Sequence, residues 1–323
     1  MKLAIKLIKN RSDIGAGTRG SDMGVDAIEI AAINKGNDYF NKFPFEDLVT
    51  HNETIYQKDR NTFAKRIEKV YEQCTRVAES VCRNLQTGYL PLVFSGDHSS
   101  ALGTISGIKA AFPNLQLGVI WFDAHADLHS PYTSPSGNVH GMPLAAALGY
   151  DNRDASINPV DGDTLHFWDQ MKAIGTDKPK LEAKHLIYFG VRDTEEAEDI
   201  AIASLGIKNY SVSEARLRGL DVCVKESLKR LTGCDLLYIS LDVDSLDCDL
   251  VSDGTGTPVG KGFDQFEIIK LINGIIKSGK VIGLEIAEVN PLLDSHGNRM
   301  AEISFDILNA ITATIIEQAQ VFA

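Results

Sequence analysis

Leu117-Gly118-Val119-Ile120-Trp121-Phe122-Asp123-Ala124-His125-Ala126-Asp127 runs an uncharged stretch of six residues straight into an acid, an imidazole and a second acid. A short apolar run of this kind reads as a buried strand. Side chains on extended backbone alternate between faces, so the spacing predicts that Asp123, His125 and Asp127 converge on one side. The pattern recurs. Residues 236–241 lead into Asp242-Val243-Asp244, and residues 90–94 lead through Ser95-Gly96-Asp97 to His98. Four carboxylates and two imidazoles at strand ends repel one another unless cations sit among them. Such a set suits two divalent ions. Carboxylates with few imidazoles and no thiolate fit Mn²⁺ ahead of Zn²⁺ or Fe²⁺. Two such ions about 3.5–4 Å apart, sharing carboxylates, ionise a shared water near neutral pH and so make a nucleophile for hydrolysis.

Outward from these runs, strand and helix patterns alternate. Further strands are read at residues 3–8, 185–191 and 281–286. Helices are read at 62–86, 99–111, 264–278 and 301–318, the first with Asn61 as its cap and Gly88 as its stop. This order predicts an α/β fold with a mainly parallel sheet and helices on both faces. Ligands of such sheets bind outside the carboxyl ends of the strands, where His98, Asp123, Asp242 and Glu288 all fall. No repeat or linker interrupts the chain, so one domain over 1–323 is expected. Residues 151–184 read as a surface excursion with one short helix.

The loop that follows Asp127 is dense in short donors, Ser130, Thr133, Ser134, Ser136 and Asn138, which suit a carboxylate. His140 closes it and is a candidate proton shuttle, since imidazole titrates near working pH. Glu288 places one more acid at a strand end. Asp253-Gly254-Thr255-Gly256-Thr257-Pro258 lacks both the Lys of a phosphate loop and the third Gly of a dinucleotide fingerprint, which argues against nucleotides.

Lys plus Arg number 32 against 44 Asp plus Glu, a net charge of −12, with no basic run. That excludes a nucleic-acid binder. Five scattered cysteines without a C-x-x-C point to a reducing compartment. Lys6 and Lys9 interrupt the apolar N-terminus, which reads as a first strand rather than a secretion signal. No stretch has transmembrane length, and a cytoplasmic protein is expected.

Taken together, these blocks resemble the ureohydrolase family, and within it arginase. The stretches that carry the resemblance are Ser95-Gly96-Asp97-His98-Ser99, Asp123-Ala124-His125-Ala126-Asp127, Ser136-Gly137-Asn138-Val139-His140-Gly141, Ser240-Leu241-Asp242-Val243-Asp244, Gly256-Thr257-Pro258 and Glu288-Val289-Asn290-Pro291. Arg19, in the early Gly-rich loop, also looks like the family's opening segment. The resemblance implies a three-layer α/β/α domain around a parallel eight-stranded sheet. It implies two manganese ions per chain, one held by His98, Asp123, Asp127 and Asp242, the other by Asp123, His125, Asp242 and Asp244. Hydroxide bridging them would attack the guanidinium carbon of L-arginine, giving L-ornithine and urea. Asp127 would orient that hydroxide, His140 would shuttle a proton and Glu288 would grip the guanidinium.

The same resemblance assigns substrate contacts. Ser134, Ser136, Asn138 and His129 would lie along the carboxylate, Glu195 and Glu198 would face the α-amino group, and Thr257 would line the site. The expected partners are a small cationic guanidino substrate and further copies of the chain, as a trimer or hexamer. Three positions depart from arginase usage. His129 stands for Asn, Glu195 for Asp, and Cys248 for Pro. The alternatives are a ureohydrolase for another guanidino or formimino compound and a non-catalytic metal-bound relative.

Overall fold

The computed structural model describes residues 4–59 and 61–321. Eight strands form one sheet: β1 (Ala4–Asn10), β2 (Phe45–Asp47), β3 (Tyr89–Ser95), β4 (Leu117–Phe122), β5 (Leu186–Phe189), β6 (Lys208–Tyr210), β7 (Leu236–Asp242) and β8 (Val281–Ala287). Their order is β2-β1-β3-β8-β7-β4-β5-β6, and every pairing is parallel. Parallel strands are covered on both faces and so read as continuous apolar runs. In β4, Ile120 and Phe122 face one core, while Val119 and Trp121 face the other.

The first core is closed by the helices Gly24–Asn34, Leu220–Arg230, Gln265–Ile276 and Arg299–Val321. The second is closed by Ile67–Gln86, Ala101–Ala111, Pro143–Leu148 and Gly162–Ala173. Local signals set several helix starts. Asp264 accepts the N–H groups of Phe266 and Glu267, while Glu267 accepts that of Asp264, a reciprocal cap.

The chain leaves β3 and returns in β4 three positions away; β8 and β7 later fill the gap. The four central strands β3, β8, β7 and β4 therefore end side by side. His98, Glu288, Asp242 and Asp123 lie at those ends, the crevice where parallel sheets bind ligands.

Several sequence expectations need correction. The long helix begins at Ile67 rather than residue 62, and Asn61 does not cap it. Residues 62–66 are drawn instead onto the donor loop. Lys65 N–H bonds to Gly137 O, and Arg66 turns left-handed (φ 56°) with its guanidinium on Ile14 O and Ala16 O. Gly137, at φ 71°, packs so close to Thr62 O that a Cβ there would lie 2.1 Å from it. The 151–184 stretch is less loose than expected. Its helix Gly162–Ala173 buries Trp168 and Met171 in the second core. The edge strands β2 and β6 went unread because three residues each carry no usable periodicity. The 185–191 strand shortens to Leu186–Phe189, and Leu3 of the first strand lies outside the described residues.

Candidate metal centre and substrate cavity

The acidic block after β4 converges, but not by strand alternation. β4 stops at Phe122 and the backbone bends, with Asp127 at φ 51°. Glu288, just past β8, also sits in the left-handed region at φ 67°. Non-glycine residues held there are sparse and cluster at functional sites. After β7, Asp242 caps a single 3-10 turn by accepting the Asp244 N–H at 2.9 Å, and this turn lifts Asp244 into place.

Four donors meet at one point. His98 Nδ1 lies 3.1 Å from Oδ2 of each of Asp123, Asp127 and Asp242. Beside it, His125 Nδ1 lies 2.8 Å from Asp244 Oδ2 and 3.5 Å from Asp123 Oδ1. Asp123 belongs to both groups. The carboxylates and His98 are almost wholly buried; only the His125 side chain, one-quarter exposed, opens outward.

Two of these atoms, His98 Nδ1 and Asp127 Oδ2, are buried without any hydrogen-bond partner. Orphaned buried polar atoms are costly and rare. Imidazole nitrogen and carboxylate oxygens about 3 Å apart suit adjacent ligands of one divalent ion with bonds of about 2.0–2.2 Å. The donor set therefore fits a metal pair.

Electrostatics agree. Burial, then the charges of Asp244 and Asp123, holds Asp242 well above the ordinary carboxylate range. Burial and Asp123 push Asp244 up as well. Asp127 rises to about 6 for the same two reasons. Asp123 goes the other way, because its burial is outweighed by the imidazoles of His125 and His98 beside it. Without cations these acids resist full ionisation together.

Each ligand is steered by a second contact. His98 Nε2 meets Ser240 Oγ at 2.7 Å, and its ring stacks on Trp121 at 4.1 Å. Trp121 Nε1 donates to Asp123 Oδ2 at 2.8 Å. Asp244 Oδ1 accepts the Ala124 N–H. Arg192 spends its guanidinium on five carbonyls, including Gly190 O, Asp244 O and Val259 O, and so ties the loops after β5 and β7 together. Sequence reasoning missed Trp121 and Ser240, although each stands two residues before a ligand on the same strand face. It also missed Lys65, whose Nζ donates to Asn138 Oδ1 at 3.2 Å.

A cavity of about 330 Å³ opens above this cluster. His98, His125, Asp127, Asp242 and Asp244 form its floor, and Ser134, Ser136, Asn138, His129, His140, Glu195, Glu198 and Thr257 line its walls. Asp123 and Glu288 lie buried just behind. Glu288 Oε1 accepts from His98 N–H and from His140 Nδ1, both at 3.0 Å, and its Oε2 accepts no hydrogen bond from the described residues. Burial opposes charge on His140, yet the bond to Glu288 carries its imidazole up to about 9. His129 is not free in the wall. Its Nε2 lies 2.5 Å from Glu195 Oε2.

The family model described as the arginase family matches residues 4–313. The chain belongs to the arginase family. It is similar to the arginase of Bacillus subtilis, 32% identical over 314 residues that cover 96% of this chain and 98% of that protein. It is 34% identical to human arginase-1 over 278 residues, covering 85% of this chain and 78% of that one. Among solved structures, the arginase of Bacillus cereus superposes with a TM-score of 0.80 at 30% identity, covering 95% and 98% of the two chains. This arginase-family chain is thus a hydrolase whose clustered His and Asp groups suit a binuclear metal site. Among the described residues, no helix is long and apolar enough to cross a membrane.

Proposed function

We propose that the chain hydrolyses the guanidinium of L-arginine to urea and L-ornithine with a pair of manganese ions. The observation that carries this reading is the floor of the cavity, where His98 Nδ1 and Asp127 Oδ2 point at one another's neighbourhood with no partner. His98, Asp123, Asp127 and Asp242 would hold one ion, and Asp123, His125, Asp242 and Asp244 the other. Bound there, the pair supplies a water ionised near neutral pH and polarises the group it attacks.

The chain's own residues do the rest. Asp127 accepts a hydrogen bond from the attacking water and aims it. Glu288 offers Oε2 to the guanidinium while its Oε1 holds His140 by Nδ1. His140 passes a proton to the departing amine as the carbon–nitrogen bond breaks. Ser134, Ser136 and Asn138 donate to the carboxylate at the far end of the substrate.

Urea release by the manganese-loaded protein tests the reading. L-Arginine should exceed agmatine, which lacks the carboxylate, by about 10²-fold or more in kcat/KM, because the donors Ser134, Ser136 and Asn138 are left without their anion by the smaller analogue. Equal values would remove arginine as the substrate and keep the hydrolase.

A further inference from the structure

His98 faces the cavity floor with one nitrogen and the sheet interior with the other. Its Nδ1 meets Asp123, Asp127 and Asp242, and its Nε2 lies 2.7 Å from Ser240 Oγ. A neutral imidazole has a single N–H, so the ring offers a bare Nδ1 to a metal only while Nε2 carries the hydrogen. Ser240 must then accept. Its own hydroxyl hydrogen is left over and needs an acceptor in turn.

A buried acid stands behind it. Tyr238 and Ser240 are two residues apart on β7 and so share one face. Glu285, on β8, is the register partner of Ser240, and its side chain is wholly buried. Glu285 Oε2 accepts from the Tyr238 hydroxyl at 2.8 Å and from the Thr104 hydroxyl, while Oε1 is buried with no partner. The Tyr238 hydroxyl interacts with Ser240 as well. Burial, then the charge of Glu285, pushes the Tyr238 phenol well above its ordinary range, so it stays a donor.

Among the described residues only hydroxyls donate to this carboxyl. Burying an acid with no cation against it is costly. Hydroxyls in series polarise one another, and the strongest acceptor sets their direction. With a carboxylate at its end the series runs one way, from His98 Nε2–H to Ser240, from Ser240 to Tyr238, and from Tyr238 to Glu285. Thr104 belongs to the helix Ala101–Ala111, which starts just after His98, so the same carboxyl also holds the segment that carries the ring.

We propose that Glu285 is a positioning residue, which acts through the Tyr238 and Ser240 hydroxyls to keep the hydrogen of His98 on Nε2 and its Nδ1 turned to the metal. The inference rests on the metal-centre reading above.

The test is manganese affinity, read by competition with a metallochromic chelator for the native chain, Ser240→Ala, Glu285→Gln and the double variant. Glutamine keeps the size and one acceptor oxygen and removes the charge. Each single change should weaken binding at least about tenfold, within the range of about 10–100-fold for groups behind a metal-binding imidazole. Because both act along one series, the double variant should lose about as much as the worse single variant. A purely structural role for Glu285 would multiply the two losses instead. Thermal unfolding shows whether each variant is folded. Tyr238→Phe, which deletes one oxygen and keeps the ring, replaces Glu285→Gln in the same comparison if that variant is not. A smaller loss in either single variant, or losses that multiply, overturns the proposal and leaves the metal centre standing. No manganese bound by the native chain defeats the metal-centre reading and this proposal with it.

Discussion

The floor of the cavity and its rim are built on different principles. The floor stands on the ends of four adjacent strands, and its carboxylates and His98 are almost wholly buried. Asp123, Asp242 and Asp244 each accept a backbone N–H, Asp123 also the Trp121 indole, while the orphaned His98 Nδ1 and Asp127 Oδ2 lie buried. The rim stands on loops and one helix start, with the Glu195 side chain 58% exposed. Its groups satisfy one another, His129 with Glu195 and Ser134 with Gly137. A scaffold of parallel strands fixes the reacting centre, while the loops that follow them are free to change what is admitted.

If that division holds, changes to the floor should cost most. Asp123 stands in both ligand groups, so Asp123→Ala should take bound manganese from two ions per chain to one or fewer and abolish measurable turnover. Elemental analysis after gel filtration reads the first, urea release the second. Two retained ions in that variant would break the comparison, since the floor would then tolerate loss of its shared ligand.

His140 stands between floor and rim. His140→Asn should keep both ions and lower kcat by about 10²–10⁴-fold, the usual worth of a placed proton donor. Undiminished kcat would make it a loop residue. Ser240→Ala tests the contact behind His98 Nε2. Partners of this kind are worth about 10–100-fold in metal affinity. Competition with a metallochromic chelator should show that loss for manganese, with activity recovered at saturating metal. An unchanged affinity would mean that stacking on Trp121 alone orients the ring.

Most of the floor was legible from sequence because strand ends leave a local mark. An apolar run that stops in Asp or His says where the side chain will be, whichever neighbour comes later. The reason given for convergence was incomplete, since a bend and a left-handed Asp127 replace strand alternation. The supports Trp121 and Ser240 each stand two residues before a ligand, a spacing masked because both sit inside apolar runs that read as core. The rim was least legible. Glu195 and His129 are 66 residues apart, and nothing local announces that they bond. The late start of the helix at Ile67 had the same cause: Gly137 and Asp59 claim residues 65 and 66 from a distance.

The smallest effect expected is on stability. Asp127 folds with its pKa raised to about 6, above the unfolded value of about 3.9, and Asp242 and Asp244 are raised too. Stability from such groups is full below the unfolded value and is lost as pH rises through the folded one. The metal-free chain therefore weakens from about pH 4 to beyond pH 6, and cations relieve it. Saturation at 100 times Kd contributes about 2.7 kcal/mol per site. The gain in Tm on adding manganese should accordingly be larger at pH 8 than at pH 5.5. A gain that is equal or smaller at pH 8 would contradict this charge balance.

The most direct measurement is anomalous diffraction at the manganese edge from crystals of the manganese-loaded protein. The account predicts two peaks on the cavity floor, one among His98, Asp123, Asp127 and Asp242 and one among Asp123, His125, Asp242 and Asp244. A single peak, or none on the floor, would contradict it.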